Sequence, residues 1–187
     1  MHKRIFDLIF SISTLLVLMP LFCICTFLIK VESKGPLFYR QRRLGKNGSI
    51  FEILKFRSMT DEEREHNVQT LGNEAEVTKV GKVIRRLKID ELPQLLNVVK
   101  GDMSIVGPRP CLPDLIDSFN EDGRSRLLVR PGLTGLAQIN GNIHLTWEER
   151  WKYDREYIEN MSFILDIKII LNTVAIVFLG EQWGMKK

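Results

Sequence analysis

From Leu8 to Ile29 the chain carries no charged side chain, a run long enough to reach across a bilayer. Pro20 stands near its middle, where it removes a backbone donor and should kink or break a helix. Positive charge flanks both ends, with Lys3 and Arg4 before the run and Lys30, Lys34, Arg40, Arg42 and Arg43 after it. Basic flanks favour the cytoplasmic side, so a helix bent at Pro20 that enters and leaves by one leaflet satisfies both observations. The break should then be local, because bare backbone at depth must be covered. A kinked single span satisfies the same physics, and both readings stay open on these grounds. No small-residue cleavage site follows the run, so it is expected to stay attached rather than act as a signal peptide.

The 187 residues suffice for one domain with a real core. A net charge of +4 and a pI near 9.0 are mildly basic, but the charge is uneven. Between Lys30 and Arg57 the basic residues far outnumber the acids Glu32 and Glu52. Such a block suits an anionic membrane surface or a phosphorylated ligand. Aromatic residues are not interleaved as a base-stacking platform requires, which argues against nucleic acid. Cys23 and Cys25 lie in the apolar run and Cys111 is remote, so a disulfide framework is not expected and a reducing, cytosol-facing location is.

The chemistry concentrates between Lys79 and Pro110. Lys79, Lys82, Arg85, Arg86 and Lys88 lead into the adjacent carboxylates Asp90 and Glu91, followed by Leu92-Pro93. Anion-binding groups around a carboxylate pair suggest work on a phosphate with a divalent metal. Acids before Leu-Pro also suit the first turn of a helix, so a purely structural reading stands beside the chemical one. In Gly107-Pro108-Arg109-Pro110 two prolines stiffen the loop that presents Arg109, whose alternative is a loop arginine in water.

Around this stretch, Pro36 to Met59 reads as a hairpin turning at Lys46-Asn47-Gly48. Asp61 to Glu76 reads as a solvated helix-and-loop excursion in which His66 has no assigned role. Val80 to Leu87 has helical spacing, Ile89 to Pro93 a turn, and Gln94 to Val99 a short helix ended by Gly101. Leu112 to Val129 looks like one amphipathic helix with Pro113 in its first turn. Arg130 to Gly141 is glycine-rich and suited to close approach of backbone to a ligand, though it matches neither a Walker loop nor a dinucleotide fingerprint. Trp147 to Asn160 is a charged helix with a mostly solvated face, from which Tyr153, Asp154 and Tyr157 can reach a site. Ser162 to Gly180 is apolar, with Asp166, Lys168 and Asn172 expected on one side; a helix in the core or in the membrane interface fits better than a second span.

Together these motifs make the chain resemble the bacterial sugar transferase family, the monotopic phosphoglycosyl transferases, over nearly its whole length and in the small, core-only form. The most specific matches are Asp90-Glu91-Leu92-Pro93-Gln94-Leu95, Lys100-Gly101-Asp102-Met103-Ser104 and Gly107-Pro108-Arg109-Pro110. Lys55-Phe56-Arg57-Ser58-Met59 and Arg130-Pro131-Gly132-Leu133-Thr134-Gly135 add independent ones. The resemblance implies an α+β fold: a re-entrant membrane helix over residues 1–30 bent at Pro20, then a cytosolic catalytic domain over 31–187 with a small hairpin and several amphipathic or interfacial helices.

It further implies transfer of a sugar 1-phosphate from a UDP-sugar to undecaprenyl phosphate at the bacterial inner membrane. UMP is released, as the first membrane step of glycoconjugate assembly. Asp90 corresponds to the family's nucleophile, which forms a covalent phosphosugar intermediate, and Glu91 to the residue that holds Mg²⁺. A carboxylate near a helix start and cations is expected to stay ionised. Lys55, Arg85, Arg109 and Arg130 correspond to phosphate or nucleotide contacts.

Two positions depart from the family pattern. The bend carries Met19-Pro20 where Ser-Pro is common, and Asn140-Gly141 is followed by Asn142 where arginine is usual. A hydroxyl that would satisfy a freed carbonyl is thus missing, and so is one phosphate contact. Two rivals remain in view: a hydrolase using the same acids on a lipid diphosphate, and a membrane-anchored basic adaptor with no need of Asp90.

Overall fold

A computed structural model describes residues 2–60 and 76–180. The excursion expected over Asp61 to Glu76, with His66, lies outside the described residues apart from Glu76. Its two ends are stitched together: the Thr60 amide donates to the Glu76 carbonyl, and the Thr78 amide to that of Ser58, both at 3.1 Å.

The apolar run folds as two helices, α1 (His2–Val17) and α2 (Met19–Glu32), bent by 61°. Pro20 falls in the first turn of α2, where its missing N–H costs nothing, so the bend is a restart rather than a damaged helix. Among the described residues no single helix is long and apolar enough to cross a membrane, but this bent pair passes by length and composition. Ile5, Ile9, Ile12 and Leu16 of α1 and Ile24, Phe27 and Val31 of α2 are exposed.

The other face of α1 is polar and buried. Asp7 accepts from the Ser104 hydroxyl at 2.8 Å and the Ile105 amide at 3.0 Å. Arg4 donates to the Val98 and Val99 carbonyls, and Lys3 pairs with buried Asp166 at 2.6 Å. At the far end of α2, Glu32 accepts from the Lys79 and Val80 amides at 2.6 and 2.9 Å. It thereby caps helix α3 (Lys79–Arg86), whose own Thr78 side chain also accepts from the Gly81 amide.

Strands β1 (Phe38–Leu44) and β2 (Ile50–Phe56) form the expected antiparallel hairpin, with Phe38 opposite Phe56 and Leu44 opposite Ile50. The turn runs through Asn47 at φ 57° and Gly48 at φ 75°, conformations these two residues tolerate. Helix α4 (Gln94–Lys100) ends, as expected, at Gly101 with φ 104°. Phe51, Ile53, Leu95, Val98, Met103, Ile105 and Tyr157 share one buried cluster, so the hairpin and α4 pack on a common core.

Two sequence-based expectations change. Leu112 to Val129 is not one helix but three short pieces: a 3-10 helix Pro113–Ser118, helix α5 (Glu121–Ser125) and a 3-10 turn Arg126–Leu128. The Asn120 side chain accepts from the Gly123 amide and so starts a new helix, after Phe119 has turned extended. In the glycine-rich stretch, Gly132 and Gly135 make close approach to backbone of the fold itself. Strand β4 (Gly132–Thr134) pairs in parallel with β3 (Ser104–Val106), and side chains on Gly132 or Gly135 would collide with the Gly107 main chain. In helix α8 (Phe163–Leu179), which follows helices α6 (Leu136–Ile139) and α7 (Trp147–Glu159), Asp166 and Lys168 do not share a side. Asp166 turns inward to accept from the Tyr157 hydroxyl at 2.7 Å, while Lys168 is exposed. Phe163, Ile164, Leu171, Val174 and Phe178 are exposed too, so α8 packs on the core through Ile169 while its other face is open.

Candidate active site

Asp90 and Glu91 sit in a 3-10 turn, Ile89–Glu91, wedged between α3 and α4. The turn is entered through Lys88 at φ 56°, a left-handed conformation that a lysine adopts only under constraint from its surroundings. Helix α4 begins at Gln94 after Pro93, so the two acids precede the helix rather than occupy its first turn.

Glu91 is held by two cations. Its Oε1 accepts from Lys55 Nζ at 2.7 Å and Arg109 Nη2 at 2.6 Å, and its Oε2 from Arg109 Nη1 at 3.2 Å. Lys55 arrives there by strand alternation, lying on the same face of β2 as buried Phe51 and Ile53. Asn97 locks that strand to α4: its side chain accepts from the Leu54 amide at 3.0 Å and donates to the Glu52 carbonyl at 2.7 Å. Neither the role of Asn97 nor that of Glu32 shows in the sequence, since each depends on a partner far along the chain.

The two acids are driven apart electrostatically. Burial alone would raise Glu91, but the Arg109 and Lys55 charges and hydrogen bonds outweigh it and hold the carboxyl well below its usual range. Asp90 moves the other way, to about 6, first through burial and then through the charge of Glu91. Lys55, Arg85 and Lys88 offset only part of that rise, so Asp90 keeps its charge at neutral pH but with a smaller margin than its cationic neighbours alone would give. A carboxyl near 6 is ionised at neutral pH yet far more basic than a surface aspartate, a setting suited to nucleophilic work.

Of the residues singled out in the sequence, Asp90, Glu91, Lys55 and Arg109 converge, and Arg85 is close enough to act on the charge of Asp90. Arg130 is placed otherwise, donating through Nε to the Gly101 carbonyl at 2.8 Å beyond the end of α4. Among the described residues no three or more His, Cys, Asp or Glu side chains gather in a cluster fit for a metal. What the site offers a divalent ion is hard carboxylate oxygen, and that suits Mg²⁺, which keeps several waters and takes further ligands from a bound phosphate. Glu91 fits this role on one condition: Lys55 and Arg109 must turn from its oxygens, and an incoming diphosphate is the kind of anion that would draw them.

Residues 1–180 match the family model described as bacterial sugar transferase. The chain is 44% identical over 179 residues to "Uncharacterized sugar transferase EpsL" of Bacillus subtilis (strain 168), covering 96% of this chain and 88% of that protein. It is 43% identical over 193 residues to the UDP-glucose:undecaprenyl-phosphate glucose-1-phosphate transferase of Klebsiella pneumoniae, covering 96% of this chain and 41% of that protein. With the undecaprenyl-phosphate galactose phosphotransferase of Salmonella typhimurium it shares 35% identity over 191 residues, covering 94% and 40% respectively.

Proposed function

The chain belongs to the bacterial sugar transferase family, and from that premise we propose that it moves a sugar 1-phosphate from a UDP-sugar to undecaprenyl phosphate. The observation that carries the site assignment is the contrast between two neighbouring acids: a buried, basic Asp90 beside a Glu91 fixed by Lys55 and Arg109.

In this reading an Asp90 carboxylate oxygen attacks the phosphorus next to the sugar, and the bond from that phosphorus to the UMP oxygen breaks. UMP leaves and an aspartyl phosphosugar remains. A phosphate oxygen of the polyprenyl carrier then attacks the same phosphorus, restoring the carboxylate and giving polyprenyl diphosphosugar. Glu91 would hold Mg²⁺, which would supply charge neutralisation for the diphosphate. Arg109, Lys55 and Arg85 bind and orient the phosphates, and the stiff Pro-Arg-Pro loop limits the entropy lost in doing so.

Product analysis after mixing with a panel of UDP-sugars and the carrier tests the reaction. UMP and polyprenyl diphosphosugar are expected; inorganic phosphate or free sugar phosphate would point to the hydrolase instead. The pH dependence carries a sign. With Asp90 at about 6, the attacking carboxylate is lost as pH falls through that value, so adduct formation should drop on the acid side and level off well above it. A rate flat across that range would remove Asp90 from the attacking role.

We further propose that α1 and α2 form a re-entrant hairpin in the inner membrane, that α8 lies in the interface, and that the site faces the cytoplasm. The 61° bend, the basic residues at both ends and the exposed apolar side chains of all three helices support this. A cysteine placed at position 2 should react with a reagent confined to the cytoplasmic side. Protection there, with labelling from outside, would favour the single span.

A further inference from the structure

The loop that presents Arg109 contains two prolines and therefore offers few amides by which the fold can hold it. It is held by its carbonyls. Pro108 O accepts from the Gly132 amide at 2.8 Å, Arg109 O from Arg126 Nη2 at 2.6 Å, Pro110 O from Arg43 Nη1 at 3.4 Å, and Cys111 O from the Leu44 amide at 2.9 Å. The second of these differs in kind, because its donor is a buried guanidinium: Arg126 is only 6% exposed. Burying an arginine is expensive unless a countercharge accompanies it, and Asp154 Oδ2 stands 3.2 Å from the same Nη2. Among the described residues that Oδ2 accepts no hydrogen bond. Asp154 is thus the countercharge, while the N–H itself is aimed at the loop.

The consequence is geometric. The peptide plane between Arg109 and Pro110 can turn only about ψ of Arg109 and φ of Pro110, and the proline ring fixes the latter. Pinning the Arg109 carbonyl therefore fixes ψ, and with it the direction from which the side chain sets out toward Glu91. We infer that Arg126, with Asp154 as its buried countercharge, is a positioning residue that orients Arg109 toward Glu91 and the substrate phosphates. It touches neither substrate nor Glu91 and acts through Arg109.

The inference takes only its turnover readout from the proposed phosphoglycosyl transfer. A buried ion pair replaced by apolar residues of similar volume is often no less stable, so Arg126→Met with Asp154→Leu separates folding from positioning. This double variant should melt near the parent temperature, lose about 10²-fold in kcat/KM, and exchange the amides of Gly107, Arg109 and Cys111 faster while the hairpin and α4 stay protected. Introduced into Arg109→Ala, the same pair of changes should cost nothing further, since the group to be positioned is gone. Arg126→Lys, which keeps the charge beside Asp154 without the guanidinium fork, covers the case of a double variant that does not fold; it should show the same loss and the same faster exchange. Parent-like turnover with unchanged exchange, in either variant, would overturn the inference, as would an equal loss in the Arg109→Ala background. An enzyme that releases no UMP from any UDP-sugar would sink the transferase reading, while the exchange measurement still decides the role of Arg126.

Discussion

Replacing Asp90 with asparagine is expected to give a protein that melts no lower than the parent and transfers no sugar phosphate. The two halves of this result have one cause. Asp90 is 9% exposed and beside an ionised Glu91, so its charged form is disfavoured in the fold and its pKa rises to about 6. A raised carboxyl pKa means that the charge costs stability above that pH, and the neutral isostere removes the cost. The same change removes the proposed nucleophile, and loss of a covalent nucleophile lowers turnover by on the order of 10⁴-fold or more. Intact-mass measurement after incubation with UDP-sugar should show a phosphosugar adduct on the parent and none on Asp90→Asn. Full activity in the variant would end the proposed mechanism. A large fall in melting temperature would show instead that Asp90 belongs to the scaffold.

Glu91→Gln should behave in the opposite way, losing stability and activity together. Here the charge is favourable, because the amide would leave Lys55 and Arg109 facing each other across a neutral group. A lowered carboxyl pKa contributes stability above the unfolded value of about 4.5, lost as pH falls through the folded one; the variant should therefore lack that acid-side loss. Turnover should fall by about 10²- to 10³-fold, the usual cost of one removed charge-stabilising contact. Binding of Mn²⁺ as a spectroscopic stand-in for Mg²⁺, measured with UDP present, should weaken in Glu91→Gln and be intact in Asp90→Asn. Chelator-resistant turnover by the parent would remove the metal from the mechanism. The clamp adds a reciprocal expectation: Arg109→Ala, which frees lone pairs on Glu91, should bind Mn²⁺ more tightly than the parent when no nucleotide is present.

Much of this site can be read from the chain because its chemistry is local. Adjacent acids, an arginine between prolines and a Lys-Asn-Gly turn each announce themselves within a few residues. The strand period carries Lys55 onto the core side of its hairpin, so its approach to Glu91 follows from alternation once the hairpin is in place. What escaped was non-local. Arg126 sits in a segment that reads as a plain amphipathic helix, and only the fold brings its head to Arg109 O. Asp7 looks like an acid at the edge of an apolar run, yet its partners are Ser104 and Ile105. The glycines at 132 and 135 advertised close approach correctly, but the neighbour is the Gly107 main chain. Asp90 shows the limit most clearly. Its sequence neighbours point to an ionised carboxylate, but only the fold shows the burial that, with the adjacent Glu91 charge, raises its pKa.

The polar contacts of Arg4, Asp7 and Glu32 leave this protein without a detachable anchor. Asp7 bonds the strand that leads into the Arg109 loop, and Glu32 caps the helix that leads into Asp90. A cut after residue 32 would therefore take away the partner of the buried Ile105 amide and the cap on the first amides of α3, not merely a tether. Removing α1 and α2 by truncation and inactivating the enzyme are, on this architecture, a single operation. If α1 and α2 enter the bilayer as proposed, catalysis is tied to it by the folding of the polypeptide itself.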